Sequence, residues 1–146
     1  MDRRSFIRFG IVGTTTGIIA PRAVLATTSG NPLASPMAGG VYHTKDAPGR
    51  WAKKAGLHLP VISKSAGSGG KTVIQVVTGH PMKPDFDHYI VKHMLLDKNF
   101  NFIAEHVFNP TKDKQPISEF SITATGPIYA MSVCNLHDSW LDMIEV

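Results

Sequence analysis

The single cysteine of this sequence lies three residues before a histidine. Cys134 and His137 stand at the end of a strand-like run, where a thiolate and an imidazole can reach the same metal ion. One cysteine excludes an internal disulfide and any site built from four cysteines. The first 26 residues resemble an export signal, as described below, and metal binding protects the thiol of an exported protein from oxidation. This pair is therefore a candidate metal-binding motif.

Three further histidines lie in short motifs upstream of that pair. His80 and His88 flank a loop that contains two prolines, and His58 stands at the entrance to another strand-like run. Together with Cys134 and His137 they make a set of five ligands, one more than a structural zinc site uses. Imidazole-rich sites with one thiolate suit redox-active iron or copper. The set therefore predicts a redox-active metal centre.

Two other functions are compatible with the same residues. The first is a cupredoxin-like electron carrier, in which copper would bind Cys134, His137, Met143 and His88. The second is a redox-inactive β-sandwich that binds a partner. A copper carrier would leave His58 and His80 without a role.

The elements that must position these residues are short strands. Apolar and β-branched residues recur in five runs separated by turns rich in proline, glycine, asparagine and aspartate; the runs are 71–78, 88–96, 101–108, 117–124 and 128–133. No segment keeps the apolar period of a long helix. The pattern predicts an all-β fold, a small antiparallel sandwich.

Length and charge narrow the possible functions further. The 146 residues carry a formal charge of +4 and are 42% hydrophobic, which suits one domain with its own core. Four arginines fall within residues 1–26, and beyond Ala26 the chain has 11 basic and 10 acidic residues. A nearly neutral domain does not indicate a partner among nucleic acids.

The first 26 residues have the features of an export signal. Arg3 and Arg4 precede a modestly apolar stretch that ends at Pro21, and small residues follow up to Ala26. The apolar stretch is shorter than the roughly 20 residues that cross a bilayer. We expect a twin-arginine signal, cleavage near Ala26, a periplasmic location, and membrane contact only through the signal.

The rest of the chain divides into an arm and a domain. Residues 27–50 are rich in serine, threonine, glycine, alanine and proline, and this composition predicts a flexible or loosely packed arm. Residues 51–146 contain all five candidate ligands and all the strand-like runs. We therefore place the domain boundary at residue 51.

The candidate ligands lie in motifs that resemble those of a known family. The segments His58-Leu-Pro-Val-Ile, His80-Pro-Met, His88-Tyr-Ile and Cys134-Asn-Leu-His137 occur in the same order in superoxide reductases. The chain resembles the iron-binding domain of neelaredoxin and desulfoferrodoxin from about residue 51 to its end. It resembles the single-iron form, because no four-cysteine module precedes the domain.

This resemblance implies a fold, a cofactor and a reaction. The fold would be an immunoglobulin-like β-sandwich, and the cofactor a mononuclear non-haem iron that cycles between Fe²⁺ and Fe³⁺. Four histidines would bind in one plane and Cys134 along the axis, with the opposite position open. The enzyme, an oxidoreductase, would reduce superoxide by one electron to hydrogen peroxide, with a small redox protein as electron donor. Association into homo-oligomers is also common in the family.

Three positions depart from the family pattern. Gly56 and Leu57 stand where most members have Glu-Lys before the first histidine, and Lys53 and Lys54 are the nearby cations. The interval between His80 and His88 is longer than is usual in the family. Asp138 replaces the glycine that commonly follows the last histidine.

Overall fold

The computed structural model describes residues 33 and 35–146. The signal predicted for residues 1–26, with its cleavage site, lies outside the described residues. Within the described part of the chain, no helix is long and apolar enough to cross a membrane.

The named elements of the described chain are three short helical segments and seven strands. A 3-10 helix, Gly49–Lys54, leads directly into the four-residue helix α1. In chain order the elements are α1 (Ala55–His58), β1 (Pro60–Ala66), β2 (Thr72–Thr78), β3 (Ile90–Leu96), β4 (Phe102–Val107), β5 (Ile117–Ile122), β6 (Pro127–Cys134) and β7 (Ser139–Glu145), with a further 3-10 turn at Ser68–Gly70.

The strands form two antiparallel sheets. One sheet has three strands in the order β1-β2-β5, and the other has four in the order β4-β3-β6-β7. The central pairs are long: β2 and β5 pair from Thr72 opposite Ile122 to Val77 opposite Ile117. The all-β antiparallel sandwich predicted from the sequence is confirmed.

The main core fills the space between the two sheets. Ile74 and Val76 on β2 are fully buried and alternate with less buried residues, as one face of a strand requires. They pack with the remaining buried members of the cluster, which are Leu95, Phe120, Ile122, Ile128 and Ala130. Burial of aliphatic side chains on this scale is the main stabilising contribution to the sandwich.

A second cluster covers the outer face of the four-stranded sheet. Tyr129 on β6 points away from the main core and packs with Tyr42, Leu96 and Leu141. The peptide of His43 pairs with β7, because its N–H donates to the Ser139 carbonyl at 2.8 Å and its carbonyl accepts from the Leu141 N–H at 2.8 Å. This part of residues 27–50 is therefore packed, unlike the loose arm expected from its composition.

Two strands differ from the sequence-based expectation. The segment 128–133 was expected to be the last strand, but β7 follows it and pairs with it along its length. β7 has buried residues next to one another, Trp140 and Leu141, and so lacks the alternation that marks a strand in sequence. β1 extends well beyond the apolar pair at 61–62, since its exposed half is held by pairing with β2.

Candidate metal centre

One end of the sandwich carries all five candidate ligands. His58 ends α1, His80 follows β2, and His88 lies just before β3. Cys134 ends β6, and His137 occupies the turn between β6 and β7. Antiparallel pairing of β3 with β6 places Ile90 opposite Cys134, so the segment that contains His88 meets the turn that contains His137.

The ring nitrogens of the four histidines lie close together, each about 3 Å from the next. The Nε2 atom of His88 lies 3.0 Å from the Nε2 atom of His80 and 2.9 Å from the Nδ1 atom of His137. The Nδ1 atom of His137 lies 3.1 Å from the Nε2 atom of His58. The ligand atoms of His58, His88, Cys134 and His137 all lie within 4.8 Å of one another.

Four imidazoles and one thiol bring five donor atoms to this end of the sandwich. The N···N distances of 3.0, 2.9 and 3.1 Å are compatible with nitrogens that bind one ion. Five donors exceed the four that a structural zinc site uses.

Backbone carbonyl groups fix the tautomers of two histidines. The Nδ1–H group of His58 donates to the Lys54 carbonyl at 2.8 Å, and that of His80 donates to the Pro81 carbonyl at 2.6 Å. In each ring the Nε2 lone pair is then directed toward the cluster. Such hydrogen bonds orient metal-binding imidazoles and increase their basicity as ligands.

Burial keeps these imidazoles neutral. Loss of hydration lowers the pKa of both His58 and His80 to about 4, even though their bonds to carbonyl groups act in the opposite direction. Burial is also the main reason that the pKa values of His88 and His137 are lowered. A neutral imidazole is the form that binds a metal ion, so the site is prepared for a cation.

Cys134 lies on the apolar side of the cluster. Its side chain packs with Ile90 and Phe108, and its Sγ atom lies 3.7 Å from the Nδ1 atom of His137. Burial raises the pKa of the thiol, while the backbone N–H of Leu136, 3.5 Å from the sulfur, favours the thiolate. A positive metal ion would supply the missing stabilisation of the thiolate.

Asn135 holds the long loop that precedes His88. Its side-chain oxygen accepts from the Tyr89 N–H at 3.0 Å, and its amide donates to the Asp87 carbonyl at 3.0 Å. The Tyr89 carbonyl in turn accepts from the Asn135 N–H at 3.2 Å. These bonds join the residues on both sides of His88 to the residue after Cys134. The longer interval is thus accommodated, and His88 reaches the cluster. The sequence motif showed Asn135 but not this use of its side chain.

Two cations, Lys54 and Lys83, act on the histidines of the site, and Lys54 acts on three of them. The pKa values of His58 and His137 are lowered most by burial, then by neighbouring histidines, and then by the charge of Lys54. The pKa of His88 is lowered most by burial, then by the charge of Lys83, and then by that of Lys54. The Lys54 side chain is exposed to solvent. It therefore supplies positive potential near the cluster, although it stands four residues before His58.

Met143 does not belong to this cluster. It packs against Tyr42, Tyr129 and Leu141 on the outer face of the sheet, and it pairs in register with Tyr129. Because Cys134 lies five positions after Tyr129 along β6, Tyr129 and Cys134 are about 17 Å apart at the usual rise of a strand. The cupredoxin-like alternative requires Cys134, His137, Met143 and His88 to bind one ion. The position of Met143 contradicts this alternative.

The other three histidines have different surroundings. His93 is fully buried between the sheets, where it bonds to the hydroxyl groups of Thr78 and Ser118 at 2.9 and 2.8 Å. His106 is exposed on β4. His43 is buried and lies 3.2 Å from a carboxylate oxygen of Asp138.

Comparison with known proteins gives a consistent family. The family described as desulfoferrodoxin matches residues 49–143, a range that contains all five candidate ligands. No curated protein matches the chain.

Several solved structures share the fold. A superoxide reductase (neelaredoxin) from Ignicoccus hospitalis is 28% identical over 74% of this chain and 95% of its own, with a TM-score of 0.59. A superoxide reductase crystallised in the oxidised state is 26% identical over 61% of this chain and 87% of its own, with a TM-score of 0.50. A reduced superoxide reductase (neelaredoxin) from Archaeoglobus fulgidus, 21% identical over 73% of this chain and 98% of its own, has a TM-score of 0.56 and supports the fold alone.

Proposed function

The chain belongs to the desulfoferrodoxin family, and from that premise we propose that it is a superoxide reductase with one non-haem iron. His58, His80, His88, His137 and Cys134 would hold the iron. The observation that carries the proposal is the cluster of four imidazole nitrogens, each 2.9 to 3.1 Å from the next, beside one buried sulfur.

The reaction consumes one electron and two protons for each superoxide. When bound, ferrous iron would supply the electron and become ferric, and superoxide with two protons would leave as hydrogen peroxide. A small redox protein would return the electron for the next turnover. The protons would come from solvent, and Leu57 and Leu136, the residues next to the ligands His58 and His137 in sequence, are exposed.

The residues of this chain have distinct tasks in that reaction. The neutral imidazoles provide lone pairs without competing protons, because burial lowers the pKa of His58 and His80 to about 4. The thiolate of Cys134 donates electron density to the metal, as in thiolate-ligated haem. The Leu136 N–H donates a hydrogen bond to that sulfur and limits the donation.

Lys54 would attract the substrate. Superoxide is an anion, and a cation near the site raises the rate of encounter by electrostatic steering. Because Gly56 and Leu57 carry no charge, Lys54 would take over the steering role of the family lysine.

The central experiment is a superoxide assay on protein loaded with iron in the absence of oxygen. We expect stoichiometric hydrogen peroxide and, after oxidation, a broad absorption band in the red from the bond between sulfur and ferric iron. Cys134→Ser should lose both the band and peroxide formation. Full activity in that variant would refute the role of the sulfur.

The identity of the metal is tested separately. We expect one iron per chain after the protein folds in iron-supplied cytoplasm. An intense blue colour with a copper EPR signal would indicate a copper carrier instead, and a colourless protein that produces no peroxide would indicate a redox-inactive binding domain.

We also propose export to the periplasm by the twin-arginine pathway. This pathway moves folded proteins, so iron could be inserted in the cytoplasm, where supply rather than intrinsic affinity decides which metal binds. Replacing Arg3 and Arg4 by lysine together should leave the protein in the cytoplasm. Unchanged export of that double variant would contradict the proposal.

A further inference from the structure

Asp138 has an unusual backbone conformation directly after the ligand His137. Its φ angle is 59°, a region that aspartate and asparagine tolerate better than most residues. The carbonyl of Asp138 accepts from the Cys134 N–H at 3.0 Å and closes the turn that contains two of the ligands. The turn therefore projects the Asp138 side chain in a fixed direction.

One oxygen of that side chain collects four donor groups. Oδ2 accepts from the indole N–H of Trp51 at 2.8 Å and from Arg50 at 2.5 Å through Nη2 and 3.2 Å through Nε. It also lies 3.2 Å from Nε2 of His43. All three partners precede Asp138 by 87 or more residues. The carboxylate thus joins the metal-binding turn to the segment in front of the domain.

Trp51 contacts the ligand itself. Its ring meets the ring of His137 edge-on, with 4.6 Å between the centroids and 87° between the planes. An indole can only donate its N–H, so the bond to Asp138 sets the orientation of the Trp51 ring. Asp138 acts on His137 through this contact.

His43 strengthens the same connection from the other side. Its ring is fully buried and lies 5.1 Å from that of Trp140. The indole of Trp140 donates to the His137 carbonyl at 2.8 Å. Since Nδ1 of His43 is buried without a hydrogen-bond partner in the described chain, the proton of a neutral His43 belongs on Nε2, which faces Asp138.

We propose that Asp138 is a positioning residue that holds Trp51 against His137 and so sets the metal affinity of the site; this inference rests on the metal site of the proposed function. Arg50 is largely exposed, and an exposed ion pair contributes little. The bonds from the rings of Trp51 and His43 to Asp138 are partly buried. These two bonds therefore carry most of the effect of Asp138 on metal affinity.

The first test measures metal affinity. Co²⁺ is titrated into the metal-free protein, and its absorption bands report binding to the thiolate. We expect Asp138→Gly to bind Co²⁺ about tenfold or more weakly, the usual effect of removing a partner outside the ligand set. Asp138→Asn, which keeps an acceptor oxygen and tolerates the same φ, should recover much of the loss. Asp142→Asn is the control, since within the described part of the chain the Asp142 carboxylate accepts only from the neighbouring Met143 N–H.

The second measurement separates positioning from a general loss of stability. In the metal-free protein, the indole N–H of Trp51 should exchange faster with solvent in Asp138→Gly, while that of Trp140 stays protected. Trp51→Phe should also weaken Co²⁺ binding, because Phe lacks the donor that fixes the ring. Combined with Asp138→Gly, it should add little further loss, as expected for two residues that act as a unit.

Two results would overturn the proposal. One is wild-type Co²⁺ affinity in Asp138→Gly, and the other is additive loss in the double variant. Neither result depends on turnover of superoxide. If the variants bind Co²⁺ as predicted but the iron-loaded protein produces no peroxide, only the proposed function is contradicted.

Discussion

At the scale of single residues, the site depends on which nitrogen of each ring carries the proton. Carbonyl groups within the same short segments accept that proton from His58 and His80. His137 presents Nδ1, whereas His58, His80 and His88 present Nε2. The choice for His137 follows from its place in a tight turn whose backbone is held by Cys134 and Trp140.

Lys54 gives a prediction about steering. Lys54→Gln should lower the second-order rate constant for superoxide by about two- to tenfold and flatten its dependence on ionic strength. The carbonyl that accepts from His58 belongs to the backbone and stays in place. Stopped-flow or pulse-radiolysis rates at several salt concentrations measure the effect.

The matched control is Lys53→Gln. Lys53 is also exposed but does not contribute to the pKa shifts of the ligands. Equal effects of the two substitutions would mean that only the total charge of the protein matters.

Asn135 gives a prediction about the loop that contains His88. Asn135→Ala removes the acceptor for Tyr89 and the donor to Asp87, so His88 should lose its fixed position. We expect metal affinity to fall about 10- to 100-fold, measured by competition with a chelator. Asn101→Ala, which removes a bond to Asp97 in the turn at the other end of β3, should leave the affinity unchanged.

At the scale of elements, the two sheets are joined beneath the site by a buried polar network. Thr78 on β2 donates to Ser132 on β6 at 2.9 Å, and His93 on β3 bonds to Thr78 and to Ser118 on β5. Thr78 is two residues before His80, and Ser132 is two residues before Cys134. The network therefore fixes the ends of the two strands that lead to these ligands.

His93 makes the stability of the sandwich depend on pH. Burial lowers the pKa of His93 to about 3, so between about pH 3 and 6.5 the unfolded chain binds a proton that the folded protein does not. The free energy of unfolding should therefore rise with pH across this range. His93→Gln should reduce the slope by up to about 1.4 kcal/mol per pH unit.

Urea unfolding of the metal-free protein at a series of pH values measures this slope. An unchanged slope in His93→Gln would show that other groups bind the proton.

At the scale of the whole molecule, the metal links segments that are distant in the chain. His58, His88 and His137 come from three separate stretches of the chain but meet within 4.8 Å. A ligand that binds only the folded protein stabilises it by mass action, by about 2.7 kcal/mol at a free concentration 100 times its Kd. The iron-loaded protein should thus unfold at higher urea than the metal-free protein, and chelation of the iron should reverse the gain. Cys134→Ser should show a smaller gain; an equal gain would mean that sulfur adds nothing to binding.

The segment from Tyr42 to Trp51 packs against the sandwich and forms one folded unit with it. Tyr42 covers the outer sheet, and His43, Arg50 and Trp51 converge on Asp138. Its composition suggested a loose arm because it has few apolar residues. Buried Tyr42 packs on the outer face of the four-stranded sheet, the backbone of buried His43 pairs with β7, and buried Thr44 bonds to Leu33 and Ala47 within residues 27–50.

The sequence by itself determined the class of fold, because alternating β-branched residues and frequent turn residues allow little else. It also picked out the five candidate ligands, since cysteine and histidine in short motifs are recognisable without a fold. β7 was missed because its buried residues are adjacent. The cupredoxin-like alternative with Met143 stayed open because spacing along the chain does not show on which face of a sheet a residue lies.

Only the tertiary structure decided how these residues meet. The antiparallel pairing of β3 with β6 brings His88 to Cys134, and Asn135 takes up the extra length of the loop. The bonds from Trp51 and His43 to Asp138 join residues far apart in sequence. Contacts of this kind depend on strand register and side-chain direction, and both are set by packing of the whole molecule.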